Sequence, residues 1–164
     1  GGQFSYSASA LAAAGVQPGQ PFAFGGARFT WGGGPGGLDN AVAVGQTIRL
    51  RAAAPGGHLV VLGAANNGPS SGQGVLTYTD GSSEPFTLAF DDWTLNGGGA
   101  TAQAPIAVTT AYRNTADGSS DQVKAYVFGN SIALAAGKTL ASVTLPARVS
   151  AGKIHVFGLA TTAD

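Results

Sequence analysis

The stretch at residues 75–94, VLTYTDGSSEPFTLAFDDWT, decides the fold. Val75, Thr77 and Thr79 alternate with Leu76 and Tyr78, and Phe86, Leu88 and Phe90 alternate with Thr87 and Ala89. A period of two sends successive side chains to opposite faces, so each half reads as a strand with one face toward a core. Between them Asp80-Gly81 marks a tight turn, because glycine tolerates positive φ and an aspartate bonds its own backbone. The result is an antiparallel hairpin. Its far end carries two adjacent acids, Asp91 and Asp92, beside Trp93, one of only two tryptophans in the chain.

Working outward, the same strand signal recurs. Residues 7–15, SASALAAAG, form the one convincing helix, with Ser7 as cap and Gly15 as the left-handed terminator. Phe22 and Phe24, then Arg28 to Trp31, predict a hairpin around Gly25-Gly26, followed by a glycine loop over 32–37. Over 46–51, Ile48 and Leu50 point inward while Arg49 and Arg51 face water. The near-continuous apolar run 58–63, HLVVLG, predicts a strand covered on both faces. A polar loop is expected over 64–74, and a glycine-rich one over 96–104. Further strands are expected at 105–110, 123–128, 140–145 and 154–160, the last one interior, with a turn at Asp117-Gly118 and a connection over 135–138. About nine or ten strands and one short N-terminal helix predict a single antiparallel β-sandwich, jelly-roll-like, over residues 1–164.

Composition narrows the chemistry. Charged residues are 10% of the chain, against roughly 25% in an ordinary domain, and eight basic side chains balance eight acidic ones. That leaves no electrostatic footprint for nucleic acid or an anionic membrane. There is no cysteine, which excludes disulfides, thiolate catalysis and cysteine-bound zinc. No apolar run approaches the about 18 residues of a membrane span. The chain reads as a mature or excised soluble piece, with Gly1-Gly2 as a linker remnant.

Catalytic patterns are weak. Gly68-Pro69-Ser70-Ser71-Gly72 matches a nucleophile-elbow spacing, but the β-alternating VLTYT follows where a helix is required, so a Gly/Ser turn is the better reading. Asp91 and Asp92 are neighbours in an extended segment and point to opposite faces, so they do not form a dyad across a substrate. No enzyme activity, catalytic residue or cofactor is expected. His155 reads as a structural histidine tied to a backbone group. Asp39, Asn40, Asp91 and Asp92 offer hard oxygen ligands, so a structural calcium stays open. Sugars bind by stacking on exposed rings while amides, acids and arginines bond their hydroxyls. On that chemistry the candidate carbohydrate-binding residues are Trp31, Asp39, Asn40, Asp92, Trp93, Tyr112, Arg113 and Asn114. The competing reading makes Trp31 and Trp93 core plugs at the sandwich ends. Phe86, Phe90, Phe128 and Phe157 alternate as core.

Several separated segments carry a resemblance. YSASALAAAGVQPGQPF, FTW with its Gly/Pro loop, LDNAVAVGQTI, AANNGPSSGQGVLTYTDGSSEPFTLAFDDWTL, AYRNTADGSS, VKAYVFGNSIALAAGKTLASVTLP and IHVFGLA occur in consistent order from about Phe4 to Ala160. Together they resemble the β-sandwich accessory domain appended to secreted actinobacterial glycoside hydrolases, including α-mannosidase-type enzymes. TWGGGPGG departs from the TWP-type form of that module. The resemblance implies a secreted, extracellular, noncatalytic domain linked to a hydrolase catalytic domain, either binding carbohydrate or packing structurally against its neighbour. It brings no binding-residue motif with it.

Overall fold

The computed structural model describes residues 4–33, 38–50 and 55–163. Gly1-Gly2, residues 34–37 of the glycine loop with Pro35, and Arg51 lie outside the described residues. In chain order, β1 (Ser5–Tyr6) and α1 (Ala8–Ala13) precede β2 (Pro21–Phe24), β3 (Ala27–Thr30), β4 (Ala41–Val42) and β5 (Thr47–Arg49). The long strands β6 (His58–Asn66), β7 (Ser70–Tyr78) and β8 (Ser83–Phe90) follow, then the single turn α2 (Leu95–Gly98). The chain ends with β9 (Ile106–Thr110), β10 (Arg113–Asn114), β11 (Ser120–Asp121), β12 (Ala125–Ala133), β13 (Leu140–Thr144) and β14 (Lys153–Thr161). Among the described residues this gives fourteen strand segments, four of them only two residues long.

The strands form an antiparallel β-sandwich. A larger sheet has the order β4-β14-β6-β12-β9, and a smaller one the order β5-β13-β7-β8. The hairpin expected at 75–90 is present, with Thr77 opposite Ser83 and Ser70 opposite Phe90. Asp80 Oδ1 accepts the Ser82 amide at 2.9 Å within its turn. Leu76, Tyr78, Phe86, Leu88 and Phe90 are all buried, as their alternation requires, and pack between the sheets with Leu59, Val61, Phe128, Val143 and Ile154.

The larger sheet is covered on its outer face too. There α1 and the β2-β3 hairpin bring Leu11, Val16, Ala27, Phe29 and Trp31 against Val60, Leu62 and Val127. Hence β6 is apolar at successive positions: Leu59 and Val61 face the smaller sheet, while Val60 and Leu62 face the helix and hairpin. The helix begins at Ser7, whose Oγ accepts the Ala10 amide. It ends with Gly15 donating to the Ala12 carbonyl and Val16 to that of Leu11, the paired bonds of a left-handed terminator.

Two expectations change. Residues 64–74 are not a loop: β6 runs on to Asn66, β7 starts at Ser70, and only Asn67, Gly68 and Pro69 turn. The glycines that suggested a loop serve close packing instead. A Cβ on Gly74 would sit 2.5 Å from the Phe86 ring, and one on Gly72 2.5 Å from the Arg148 carbonyl oxygen. Likewise β12 continues past Phe128 to Ala133, because Gly129 makes room for the Phe24 ring. The interior placement of the last strand holds, β14 lying between β4 and β6.

Candidate functional site

Helix and hairpin cover only part of the outer face. Along β14, Ile154 and Val156 point into the core, so Lys153, His155 and Phe157 point outward, and Ala64 and Asn66 of β6 lie opposite His155 and Lys153. Above these residues opens a hollow of about 730 Å³. Tyr6 and Arg113 of the β1-β10 pair line it with Phe4, just before β1, and with Asp39 and Asn40. The β6–β7 turn with Asn67 and the segment Asp92 to Asn96 complete it.

The segment at 91–93 is stitched into the sheet rather than hanging from it. The Ala65 amide donates to the Asp91 carbonyl at 3.0 Å, Trp93 donates to Ala65 at 2.8 Å, and Tyr126 donates to Trp93 at 2.7 Å. This extended backbone sends the two acids to opposite sides. Asp91 Oδ2 accepts the amides of Gln103 and Ala104 at 2.7 and 2.8 Å. Asp92 turns the other way: its Oδ1 accepts from the Thr94 amide and hydroxyl and from the Asn96 amide, and its Oδ2 from the Gly68 amide. Burial alone would raise the Asp92 pKa, but the bonds from Thr94, Gly68 and Asn96 outweigh it and hold the carboxyl below its usual range. Asp92 therefore clamps two turns together at the rim.

Those two turns are strained. Asn67, Leu95 and Asn96 are the only non-glycine residues with positive φ among the described residues, at 58°, 52° and 54°, and all three belong to them. With Gly97 and Gly98 at 70° and 93°, residues 95–98 make a left-handed turn. Such backbone is unfavourable for side-chain-bearing residues and persists only where surrounding bonds enforce it. Here Asp92 and the Thr94 side chain, which accepts the Gly97 amide at 3.1 Å, enforce it.

A polar relay crosses the floor. The Lys153 amide donates to Asn66 Oδ1 at 2.8 Å, which turns Asn66 Nδ2 toward His155 Nε2 at 3.3 Å. His155 Nε2 must then accept, so the proton sits on Nδ1 and is donated to Asn40 Oδ1 at 2.8 Å. Asn40 Nδ2 in turn donates to Asp39 Oδ1 at 2.7 Å. Burial and the Lys153 charge lower the His155 pKa, against a smaller opposing pull from Asp39, so the ring is neutral. The partners of His155 are side-chain amides rather than the backbone group expected.

Aromatic rings form the apolar wall. Tyr6 meets Trp93 edge-on at 5.1 Å and Phe157 at 5.4 Å, with its hydroxyl donated to the Tyr126 carbonyl at 2.6 Å. Burial, then the charges of Asp39 and Asp92, push the Tyr6 pKa up, so it does not ionise. The Arg113 guanidinium lies 3.7 Å from the Phe4 ring centre and 5.4 Å from that of Trp93, and its Nε donates to Asp121 at 2.8 Å.

Of the eight candidate residues, the structure brings Asp39, Asn40, Asp92, Trp93 and Arg113 to this hollow. Three lie elsewhere. Trp31 is 5% exposed and stacks on Phe157 under the helix and hairpin, so it is the core plug of the competing reading. Tyr112 and Asn114 flank Arg113 but do not line the hollow. Phe157, expected in the core, is half-buried and forms part of the wall. The sequence did not single out Asn66, Asn67, Asn96, Lys153 or His155 for this site. Parity with the buried Val60 and Leu62 was the available signal for Asn66, once β6 is known to extend that far.

Other chemical readings lose their geometry. Ser70 lies within a strand and donates to the Ala151 carbonyl at 2.6 Å, so the Gly68–Gly72 spacing is no elbow. Asp91 and Asp92 diverge, and no group of three or more His, Asp or Glu residues suited to a metal gathers among the described residues. A second hollow of about 750 Å³, between β8 and β12, is lined by Phe24, Phe90, Asn130 and several serines. No helix among the described residues is long and apolar enough to cross a membrane. No protein-family model matches the chain, and no curated protein matches it.

Proposed function

We propose that the chain is a noncatalytic carbohydrate-binding module of a secreted polysaccharide-active enzyme, joined covalently to a glycoside hydrolase catalytic domain. The resemblance set out above motivates the secreted setting and the linked partner. The observation that carries the binding reading is the hollow on the outer face, where aromatic rings, four asparagines and four charged side chains converge from six chain segments. Aromatic edges suit the C–H faces of sugars, and amides offer donor and acceptor together, as hydroxyls require. Strained backbone concentrated at the rim is the kind of feature that gathers at ligand sites.

Retention on a glycan array, with pull-down on insoluble polysaccharides, tests this with wild type, Trp93→Ala and Trp31→Ala. Binding should fall for Trp93→Ala, while Trp31→Ala should act only through folding. Loss of retention on every glycan would favour a second reading, a sandwich that packs against its catalytic domain without a ligand. That reading draws on Leu38 and Val44, apolar side chains 96% and 68% exposed on either side of β4.

A further inference from the structure

We infer that the hollow takes the end of an uncharged glycan chain, about one to two sugar rings, rather than the flat face of an insoluble polymer. This rests on the carbohydrate reading above and narrows it. Shape is the first argument. A flat polymer surface calls for coplanar exposed rings, but here Tyr6 stands at 60° to Trp93 and at 85° to Phe157. Rings at such angles line a cup. The one well-stacked pair besides Tyr126 and Phe128, Trp31 on Phe157 at 14°, includes the tryptophan that is buried. At about 730 Å³ the hollow falls within the roughly 300–1,000 Å³ of pockets that enclose a small ligand.

Charge is the second argument. The Asp92 carboxylate is met by four hydrogen-bond donors, and Arg113 is already paired with Asp121. What is left is one acid, Asp39, and one base, Lys153, of opposite sign. A carboxylated or sulfated sugar would set its charge beside Asp39 and Asp92 with little surplus of positive charge to hold it. Vicinal hydroxyls, in contrast, give and accept hydrogen bonds at once. They match an acid and a base lining the same hollow, and the amides of Asn67 and Asn96.

An array carrying neutral oligosaccharides and their uronate-, sialate- and sulfate-bearing counterparts gives the first readout. Calorimetric titration with a length series of the best neutral glycan gives the second. The expected result is binding to neutral glycans, competed by the free disaccharide and little changed by salt, with affinity levelling off once about two rings are present. Affinity that keeps climbing with chain length, or retention on insoluble polymer that the free disaccharide does not compete, would overturn the chain-end inference and leave the carbohydrate reading standing. Salt-sensitive preference for the acidic glycans would overturn the uncharged-ligand inference in the same way. Binding to no glycan at all would remove the parent reading and this inference with it.

Discussion

The outer face of the larger sheet divides into two halves built on the same strands. In the covered half, β6 presents Val60 and Leu62, fully buried beneath α1 and the β2-β3 hairpin. In the open half, the same strand presents Ala64 and Asn66, and β14 presents Lys153 and His155 beside the hollow. Shape and polarity change together within one strand. The covered half is held by apolar area removed from water, and the open half by hydrogen bonds that fix polar groups in place. Each tryptophan belongs to one half, Trp31 to the covered part and Trp93 to the open one.

The largest expected effect lies in the covered half. Trp31→Ala should cost about 3–5 kcal/mol of stability in urea unfolding, as a large buried ring leaves a cavity. Next comes the clamp: Asp92→Asn removes one acceptor oxygen and confronts several N–H groups with another donor. A loss of about 1–3 kcal/mol is expected, with weaker glycan binding because both rim turns loosen. Trp93→Ala should reverse the balance seen at Trp31, lowering glycan affinity roughly five- to thirtyfold, about 1–2 kcal/mol. Asn96→Gly should relieve left-handed strain and raise stability by up to about 1 kcal/mol, while binding weakens with loss of the amide. The same balance of stability and affinity loss at both tryptophans would blur the division; opposite balances sharpen it.

The smallest effect is acid sensitivity of the floor. His155 has a folded pKa below its usual 6.5, from burial and Lys153 with Asp39 opposing. The unfolded chain then takes up the proton more readily, so this contribution to stability is intact above about pH 6.5 and is lost as pH falls from there to the folded value. Protonated Nε2 would also face the Asn66 amide, donor against donor. Thermal unfolding should shift downward as pH falls below about 6.5, and His155→Gln should flatten that part of the profile. Asp92 adds a loss of the same sign, beginning only below 3.8, its usual value.

Much of the covered half was legible in the sequence. The run LVVL could be buried on both faces only by a third layer, and Ser7, Gly15 and Gly25-Gly26 marked the helix and hairpin that supply it. Alternation also separated Asp91 from Asp92 before their partners were known. The open half was legible only in pieces. Trp93, Asp92 and Arg113 stood out as polar-flanked residues at strand ends. Asn66, Lys153 and His155 acquire meaning only through pairing of β6 with β14, across 87 residues between Asn66 and Lys153. The glycines of SSGQG were misleading for a related reason: Gly74 answers to Phe86 across the hairpin, and Gly72 to Arg148, a partner distant in sequence.

The central claim is that the open half is a ligand site and the covered half is not. Titrating the isotope-labelled chain with the best neutral oligosaccharide, followed by amide and indole NMR shifts, tests it most directly. Shifts confined to Asn66, Asn67, Trp93, Asn96, Lys153 and His155, with the Trp31 indole unmoved, are the predicted result. Shifts centred on Phe24, Asn130 and Ser131 at the second hollow, or none anywhere, would contradict it.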